Sequence, residues 1–158
     1  MFRKGESIMI TALNVANTFL DIGFKESIDI SPMKLQKLIY ILYKEYIKET
    51  NIKLFDENFE TWKYGPVLPS VYNAFKKYGS KPIKNFVFNE DDTYTTLTLN
   101  KGSKFYEVFY DVWNKYKDMS GTYLSALTHK EGTAWRKALN NGNVCLNDID
   151  IRGELSYA

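Results

Sequence analysis

Residues 55–79, FDENFETWKYGPVLPSVYNAFKKYG, are the stretch around which the rest of the chain is organised. An acidic lead-in is followed by the aromatic and basic turn WKY at 62–64, and a glycine–proline pair breaks the chain at 65–66. Glycine and proline are the strongest local breakers of regular structure, and proline is favoured in the first turn of a helix. Pro69 therefore predicts the start of an amphipathic helix, and Gly79 predicts its end.

The composition is that of one globular domain, which we expect over 1–158. Hydrophobic residues are 44% and charged residues 25%, and 158 residues are enough for a core without disulfides. Cys145 is the single cysteine, which excludes an intrachain disulfide and a zinc site built from several thiolates. The sequence has neither an apolar leader nor an apolar run of about 18 residues, so we expect a cytoplasmic protein without a membrane partner.

Hydrophobic periodicity predicts a mainly helical fold. Apolar residues follow the helical period in four segments, at 8–22, 31–49, 69–78 and 103–117. Ser7 is the predicted cap of the first of these helices and Gly23 its predicted end. Shorter helices are predicted after Ser120 and after Thr133, because serine and threonine are preferred N-cap residues.

The segment 31–49 has the clearest helix start, since Ser31 is a preferred N-cap and Pro32 follows at the first helical position. Its stripe of leucine, isoleucine and tyrosine predicts a helix at the centre of the core. The lysines lie largely off this stripe, and we expect them on a solvated face: Lys34, Lys37, Lys44 and Lys48.

One part of the chain alternates with the period of a strand. Residues 94–99, YTTLTL, are rich in β-formers, and IKNFVF at 83–88 has a similar character. The loop between them has the length of a hairpin connection. We therefore predict one β-hairpin at about 83–99, and the fold class is mainly α (α+β), a compact multi-helix single domain with this small hairpin.

No catalytic machinery is recognisable in the sequence. His129 is the only histidine, and neither a nucleophile elbow nor a phosphate-binding glycine loop nor metal-ligand spacing accompanies it. The acidic run before Lys63 resembles a carboxylate–lysine nuclease pattern, but such spacing is commonly accidental. We expect no enzymatic activity, no catalytic residue, no metal and no cofactor.

A nucleic-acid-binding regulator is the alternative that stays open. Helices joined by short breaks, with several lysines available, are compatible with a helix-turn-helix protein that contacts phosphates. Against it, the net charge is only +2, the arginines number three, and no helix pair has a polar recognition face. We do not expect nucleic acid as the main partner.

The turn at Trp62–Val67 is the remaining singular feature. Tyrosine and tryptophan are enriched at protein–protein interfaces, and the glycine–proline pair restricts the backbone path. The same aromatic side chains would also suit a core beside a buried turn. The residues alone favour neither interpretation.

Three motifs resemble the Panacea domain, the SocA-like antitoxin domain of phage and mobile-element proteins. They are MKLQKLIYILYKEYI at 33–47, the segment 55–79 with its W-x-Y-G-P-V turn, and LSALTHKEGTAW at 124–135. Together with ALNVANTFL near the start, the resemblance covers about 11–140. One departure is Ala134, where the family often has proline, so the start of the last short helix is less rigid.

The resemblance implies an antitoxin of a toxin–antitoxin system that neutralises a cognate protein toxin by direct binding. One subgroup delivers its toxin to a protease, so the resemblance makes a protease a second possible partner. The characteristic positions of the family are Leu35, Gln36, Lys37, Trp62, Tyr64, Gly65, Pro66, Val67, Tyr72, Thr128, His129, Glu131 and Trp135. The predicted partner-binding residues are Trp62, Lys63, Tyr64, Gly65, Pro66, Val67, Tyr72, His129, Glu131 and Trp135.

Overall fold

The computed structural model describes residues 10–157, in which helices predominate. The elements are α1 (Ala12–Glu26), α2 (Pro32–Thr50), β1 (Glu60–Trp62), β2 (Gly65–Val67), α3 (Pro69–Phe75), α4 (Lys104–Tyr116), α5 (Gly121–Thr128), α6 (Ala134–Asn140) and α7 (Asp148–Gly153). A short 3-10 turn, Lys76–Tyr78, continues α3. Within these residues no helix is both long and apolar enough to cross a membrane.

Helix α2 is the centre of the fold, as predicted. Its N-cap is Ser31, whose hydroxyl accepts a hydrogen bond from the backbone N–H of Lys34, and Pro32 occupies the first helical position. Every residue from 34 to 44 is buried, and α2 packs against α1, α4, α5, α7 and β2. A helix covered on all sides leaves no solvated face in its first three turns.

The expectation that the α2 lysines lie on a solvated face is therefore wrong for the buried ones, Lys34, Lys37 and Lys44. Their stems run through the protein and each ammonium ends at a backbone carbonyl of a surrounding segment: Lys117, Pro66 and Leu155 respectively. Lys48, which is half-buried, donates to the carbonyl of Glu154. These lysines fasten neighbouring segments to the central helix.

Helix α1 differs from its predicted bounds at both ends. It begins after Thr11, which forms a capping box with Asn14, and it continues to Glu26. The predicted cap, Ser7, lies outside the described residues. Gly23 does not end the helix: a Cβ there would lie 2.8 Å from Cδ1 of Ile30, so glycine allows the connector after α1 to pack closely against it.

The predicted mainly helical fold with one small hairpin is confirmed, but the position given for the hairpin is wrong. The strands are β1 and β2, which pair antiparallel with Trp62 opposite Gly65. Segment 83–99 has no strand, although it does fold back at residues 89–93, where the N–H of Asn89 donates to the carbonyl of Thr93.

The reason is the side chain of Asn17 on α1, which lies between the two arms of segment 83–99. Its Nδ2 donates to the carbonyls of Val87 at 2.9 Å and Thr95 at 3.2 Å, and its Oδ1 accepts from the N–H of Val87 at 3.0 Å. The side-chain amide of Asn17 thus makes hydrogen bonds with Val87 and Thr95 that would otherwise join the two strands of a hairpin. Alternation within 83–99 cannot reveal this, because the partner lies some 70 residues earlier.

The C-terminal tail is packed into the fold through Glu154, which is only 2% exposed. Its carboxylate accepts from Tyr40 and from the backbone N–H of Ala134, and it also pairs with Lys44 and the hydroxyl of Tyr157. The departure from the family pattern at Ala134 now has a physical reason. Proline has no N–H to donate to this carboxylate.

Candidate functional site

The three sequence motifs meet in space around the β1–β2 turn and the residue that follows it. The backbone carbonyls of alternate residues, 62, 64, 66 and 68, each accept one hydrogen bond from a side chain on another element. The pairs are Trp135 Nε1 to Trp62 O at 2.7 Å, Ser125 Oγ to Tyr64 O at 2.5 Å, Lys37 Nζ to Pro66 O at 2.9 Å, and Gln36 Nε2 to Leu68 O at 3.1 Å. Helices α2, α5 and α6 thus hold the short β1–β2 hairpin and the residue after it.

Gln36 makes the most complete of these attachments. Besides donating to the carbonyl of Leu68, its Oε1 accepts from the N–H of the same residue at 2.9 Å. An amide side chain has both a donor and an acceptor, so it can replace a strand partner for one residue. The backbone of Leu68 is therefore satisfied although it lies in the core, where an unpaired polar group is costly.

Gly65 is required by the crowding at the turn. Its φ is 115°, and a Cβ at this position would lie 2.5 Å from Thr128 Oγ1 and 2.9 Å from Lys37 Cε. Glycine adopts such angles without steric cost. The glycine of the turn, the lysine of α2 and the threonine of α5 therefore form one contact, and each belongs to a different sequence motif.

Lys37 has an unusual environment for a cation. The residue is 1% exposed, and its Nζ makes one hydrogen bond in the described part of the chain, to the carbonyl of Pro66. Burial lowers the pKa of Lys37 to about 7, because low-polarity surroundings disfavour the charged form.

The side chains of the turn are divided between the surface and the interior. Tyr64 is 55% exposed and Tyr72 on α3 is 42% exposed, whereas Val67 is buried. Trp62 is half-buried: its ring meets that of Tyr72 edge-on with 4.8 Å between centroids, and its Nε1 donates to Glu60. The ring of Tyr64 thus does not fill the core: its backbone carbonyl is held by Ser125, and its ring lies at the surface.

A cavity of about 400 Å³ lies between this turn, α3 and the first turns of α2. Trp62, Tyr64 and Tyr72 contribute to its lining, and the buried side chains of Val71 and Phe75 form an apolar wall. Among residues 10–157, the charged residues in the lining are both lysines, Lys37 and Lys63. The cavity therefore combines aromatic and apolar surface with positive charge.

His129 and Trp135 support the turn from behind and do not line the cavity. Their rings stack with 4.1 Å between centroids, and Arg136 Nε donates to the carbonyl of His129 at 3.0 Å. Burial lowers the pKa of His129 below its usual value, and the positive charges of Lys37 and Arg136 lower it further. His129 is consequently a neutral packing partner at pH 7. Glu131 lies apart, with its side chain 89% exposed.

Several residues that build the site were absent from the predicted binding set. Ser125 was not singled out, Gln36 and Thr128 were named only through the family resemblance, and Lys37 was named through the resemblance and as a lysine expected on a solvated face. The available signal for Ser125 was its spacing: it lies three residues before Thr128, hence on the same face of α5. Among residues 10–157, no group of three or more His, Cys, Asp or Glu side chains is placed to hold a metal ion.

Comparison with known proteins supplies the family context. The family model described as "Antitoxin SocA-like, Panacea domain" matches residues 35–136, which include all four carbonyl attachments of the turn. "Antitoxin SocA" of Caulobacter vibrioides (strain NA1000 / CB15N) is 31% identical over 129 residues, which are 80% of this chain and 69% of that protein. No solved structure matches the chain.

Proposed function

The chain belongs to the SocA-like antitoxin family defined by the Panacea domain, and we propose that it neutralises a cognate protein toxin by binding it directly. The family and the name of its relative support an antitoxin role. The observation that supports direct binding is the aromatic surface beside the cavity, formed by the exposed rings of Tyr64 and Tyr72 and the half-buried ring of Trp62. Exposed apolar surface of this kind marks interaction sites on soluble proteins.

The rigidity of the turn supports the same proposal. Four carbonyls are held by side chains of three helices, so the backbone beneath Tyr64 is fixed before any partner arrives. A preorganised surface loses little conformational entropy on binding, which favours affinity. Tyrosine and tryptophan are also the side chains that most often dominate binding energy at interfaces.

The proposal divides the predicted site residues by role. We assign toxin contact to the exposed or half-exposed members, Trp62, Lys63, Tyr64 and Tyr72. Gly65, Pro66, Val67, His129 and Trp135 hold the backbone and the rear of the turn, so they act through the others. Glu131 is solvent-exposed but lies outside this surface. A protease as a second partner is suggested by the family resemblance alone.

The proposed role of His129 is packing and not catalysis. Its ring stacks on Trp135, and its lowered pKa keeps it neutral, which suits an aromatic stack. Replacement by glutamine should change antitoxin activity only as far as it changes stability. A turnover activity that disappears in a well-folded His129→Gln protein would contradict this assignment.

The function is tested by co-expression with the product of the adjacent open reading frame. We expect wild-type protein to rescue growth and to co-purify with that product. Tyr64→Ala should lose rescue and binding, while Tyr94→Ala, a tyrosine of similar exposure (49%) on segment 83–99, should retain both. Rescue that both variants support equally would remove the turn from the interface.

The same preparation tests the alternative of nucleic-acid binding. Retention on DNA that falls steeply with salt, without toxin rescue, would favour a regulator that contacts phosphates. Retention should instead be negligible at physiological salt if the chain acts through protein contact.

A further inference from the structure

Among residues 10–157, the charged side chains that line the cavity beside the turn are all positive. They are Lys37 and Lys63, and no described aspartate or glutamate lines the cavity. Glu60 is close in sequence, but its carboxylate accepts from the indole N–H of Trp62. Among the described residues, the positive charge of the cavity is thus not balanced by an acidic residue of the lining.

The lack of a negative charge matters most at Lys37, because this lysine is buried. An ammonium has three donors, and Nζ of Lys37 uses one of them, on the carbonyl of Pro66. Where water is excluded, an isolated charge is strongly destabilised, and a counter-ion stabilises it by a correspondingly large amount. The side chain lines the cavity, so a group that enters there meets a lysine that has a hydrogen-bond partner but, among the described residues, no counter-ion in the lining.

The apolar wall restricts what kind of group can enter. Val71 and Phe75 are almost fully buried, and the rings of Trp62 and Tyr72 form the adjoining surface. A ligand must therefore bring apolar surface as well as an anion. A backbone carbonyl would accept a hydrogen bond from Lys37 Nζ without neutralising the charge.

Resting on the proposed function, we propose that the toxin segment that enters this cavity carries an aspartate or glutamate beside an apolar side chain. The carboxylate pairs with Lys37, and the apolar side chain packs against Val71, Phe75 and the ring of Trp62. Charged pairs shielded from water give specificity, because removing one partner leaves the other unpaired. This requirement selects among toxins by chemistry, whatever their folds.

The cavity chemistry is tested first with two probes, 3-phenylpropionate and 3-phenylpropionamide, which differ only in the acidic group. Full-length protein is titrated with each at pH 6 and followed by ¹⁵N NMR of the Gln36 amide and the Trp62 indole. We expect the acid to bind at least about tenfold more tightly than the amide. Lys37→Met should erase that preference while amide binding remains, and Lys77→Met, which alters an exposed lysine outside the cavity, should retain it.

Equal affinities for acid and amide, no shift with either probe, or an acid preference that survives Lys37→Met would each overturn the inference. With the toxin in hand, a double-mutant cycle completes the test. One acidic residue of the toxin, when changed to its amide, should weaken the wild-type complex by about tenfold or more and leave the Lys37→Met complex unaffected. If no acidic residue of the toxin couples to Lys37, the inference is wrong.

Toxin rescue is scored separately, so the two proposals fail in different ways. Rescue by wild-type protein together with no acid preference overturns the carboxylate partner and leaves the antitoxin function. No rescue and no co-purification overturns the antitoxin function itself.

Discussion

Replacing Lys37 with methionine should change how the stability of the protein depends on pH. Methionine keeps an unbranched stem of similar length but cannot carry a charge. Burial lowers the pKa of Lys37 from 10.5 to about 7 in the folded protein, whereas the unfolded chain retains the ordinary value. Between these two values the unfolded state binds one proton more than the folded state, so the free energy of unfolding of the wild type rises with pH.

The size of the effect follows from the difference between the two pKa values. One pKa unit corresponds to about 1.4 kcal/mol, so the contribution of Lys37 should rise by up to about 1.4 kcal/mol per pH unit and by about 5 kcal/mol in total. Below pH 7 the lysine is protonated in both states and the contribution is flat. Lys37 is almost fully buried, so solvent screening does not reduce this value appreciably.

The assay is urea unfolding of wild type and Lys37→Met from pH 6 to pH 10, with the difference in unfolding free energy plotted against pH. Taking the difference cancels the tyrosines with raised pKa, Tyr40 and Tyr43, because both proteins contain them. His129, the titratable neighbour of Lys37 at the end of α5, has a pKa lowered by burial, so it titrates below the range from pH 7 to pH 10 in which Lys37 changes the difference. Loss of the hydrogen bond to Pro66 adds an offset that does not depend on pH.

A difference curve that stays flat from pH 7 to pH 10 would contradict this expectation. It would mean that Lys37 keeps its ordinary pKa, either because water reaches the ammonium or because a carboxylate neutralises it. Lys77→Met serves as the control, since its side chain is exposed and its difference curve should be flat.

Three further changes have distinct expected results. Tyr64→Ala should lower stability by less than about 1 kcal/mol, because the ring is 55% exposed, and should weaken toxin binding by about 2 kcal/mol or more; calorimetry of the free and bound protein measures both. Ala134→Pro should destabilise by about 1.5 to 3 kcal/mol in urea unfolding, despite the preference for proline at helix starts, because the N–H that donates to Glu154 is lost. Gln36→Leu should cost about 1 to 3 kcal/mol in urea unfolding by leaving the N–H of Leu68 unpaired, while the carbonyl of Leu68 keeps the N–H of Tyr72 at 2.9 Å; an unchanged free energy of unfolding would show that the hydrogen bond from this N–H to Gln36 contributes nothing.

Local chemistry made most of the helices predictable. Ser31, Ser103, Ser120 and Thr133 were each identified from the sequence, and each hydroxyl accepts the backbone N–H three residues later. Such caps depend on four or five neighbouring residues, so sequence alone suffices to find them. The amphipathic period of α2 likewise predicted its central place.

Long-range contacts account for what the sequence did not predict. The strand-like alternation of 83–99 is real, but Asn17 takes the hydrogen bonds that a hairpin would use. The lysines of α2 follow the polar spacing of a surface helix, yet carbonyls from distant segments receive them inside the protein. In the site, the turn itself was recognisable, whereas the side chains that fasten it come from three helices.

Some residues of the site hold the backbone of the turn, and others present exposed side chains. This separation bears on how one domain can serve as an antitoxin. Residues that the family resemblance singled out, such as Gln36, Gly65 and Trp135, hold the backbone of the turn through contacts within this chain. Lys63 and Tyr64 project from that backbone, and their side chains are exposed. Under the proposed toxin contact, substitution at these exposed positions changes the surface that meets the toxin without releasing the turn, so we expect toxin specificity to vary while the fold is kept. Lys37 holds the carbonyl of Pro66 and also lines the cavity, so under the same proposal it would connect the scaffold to the choice of partner.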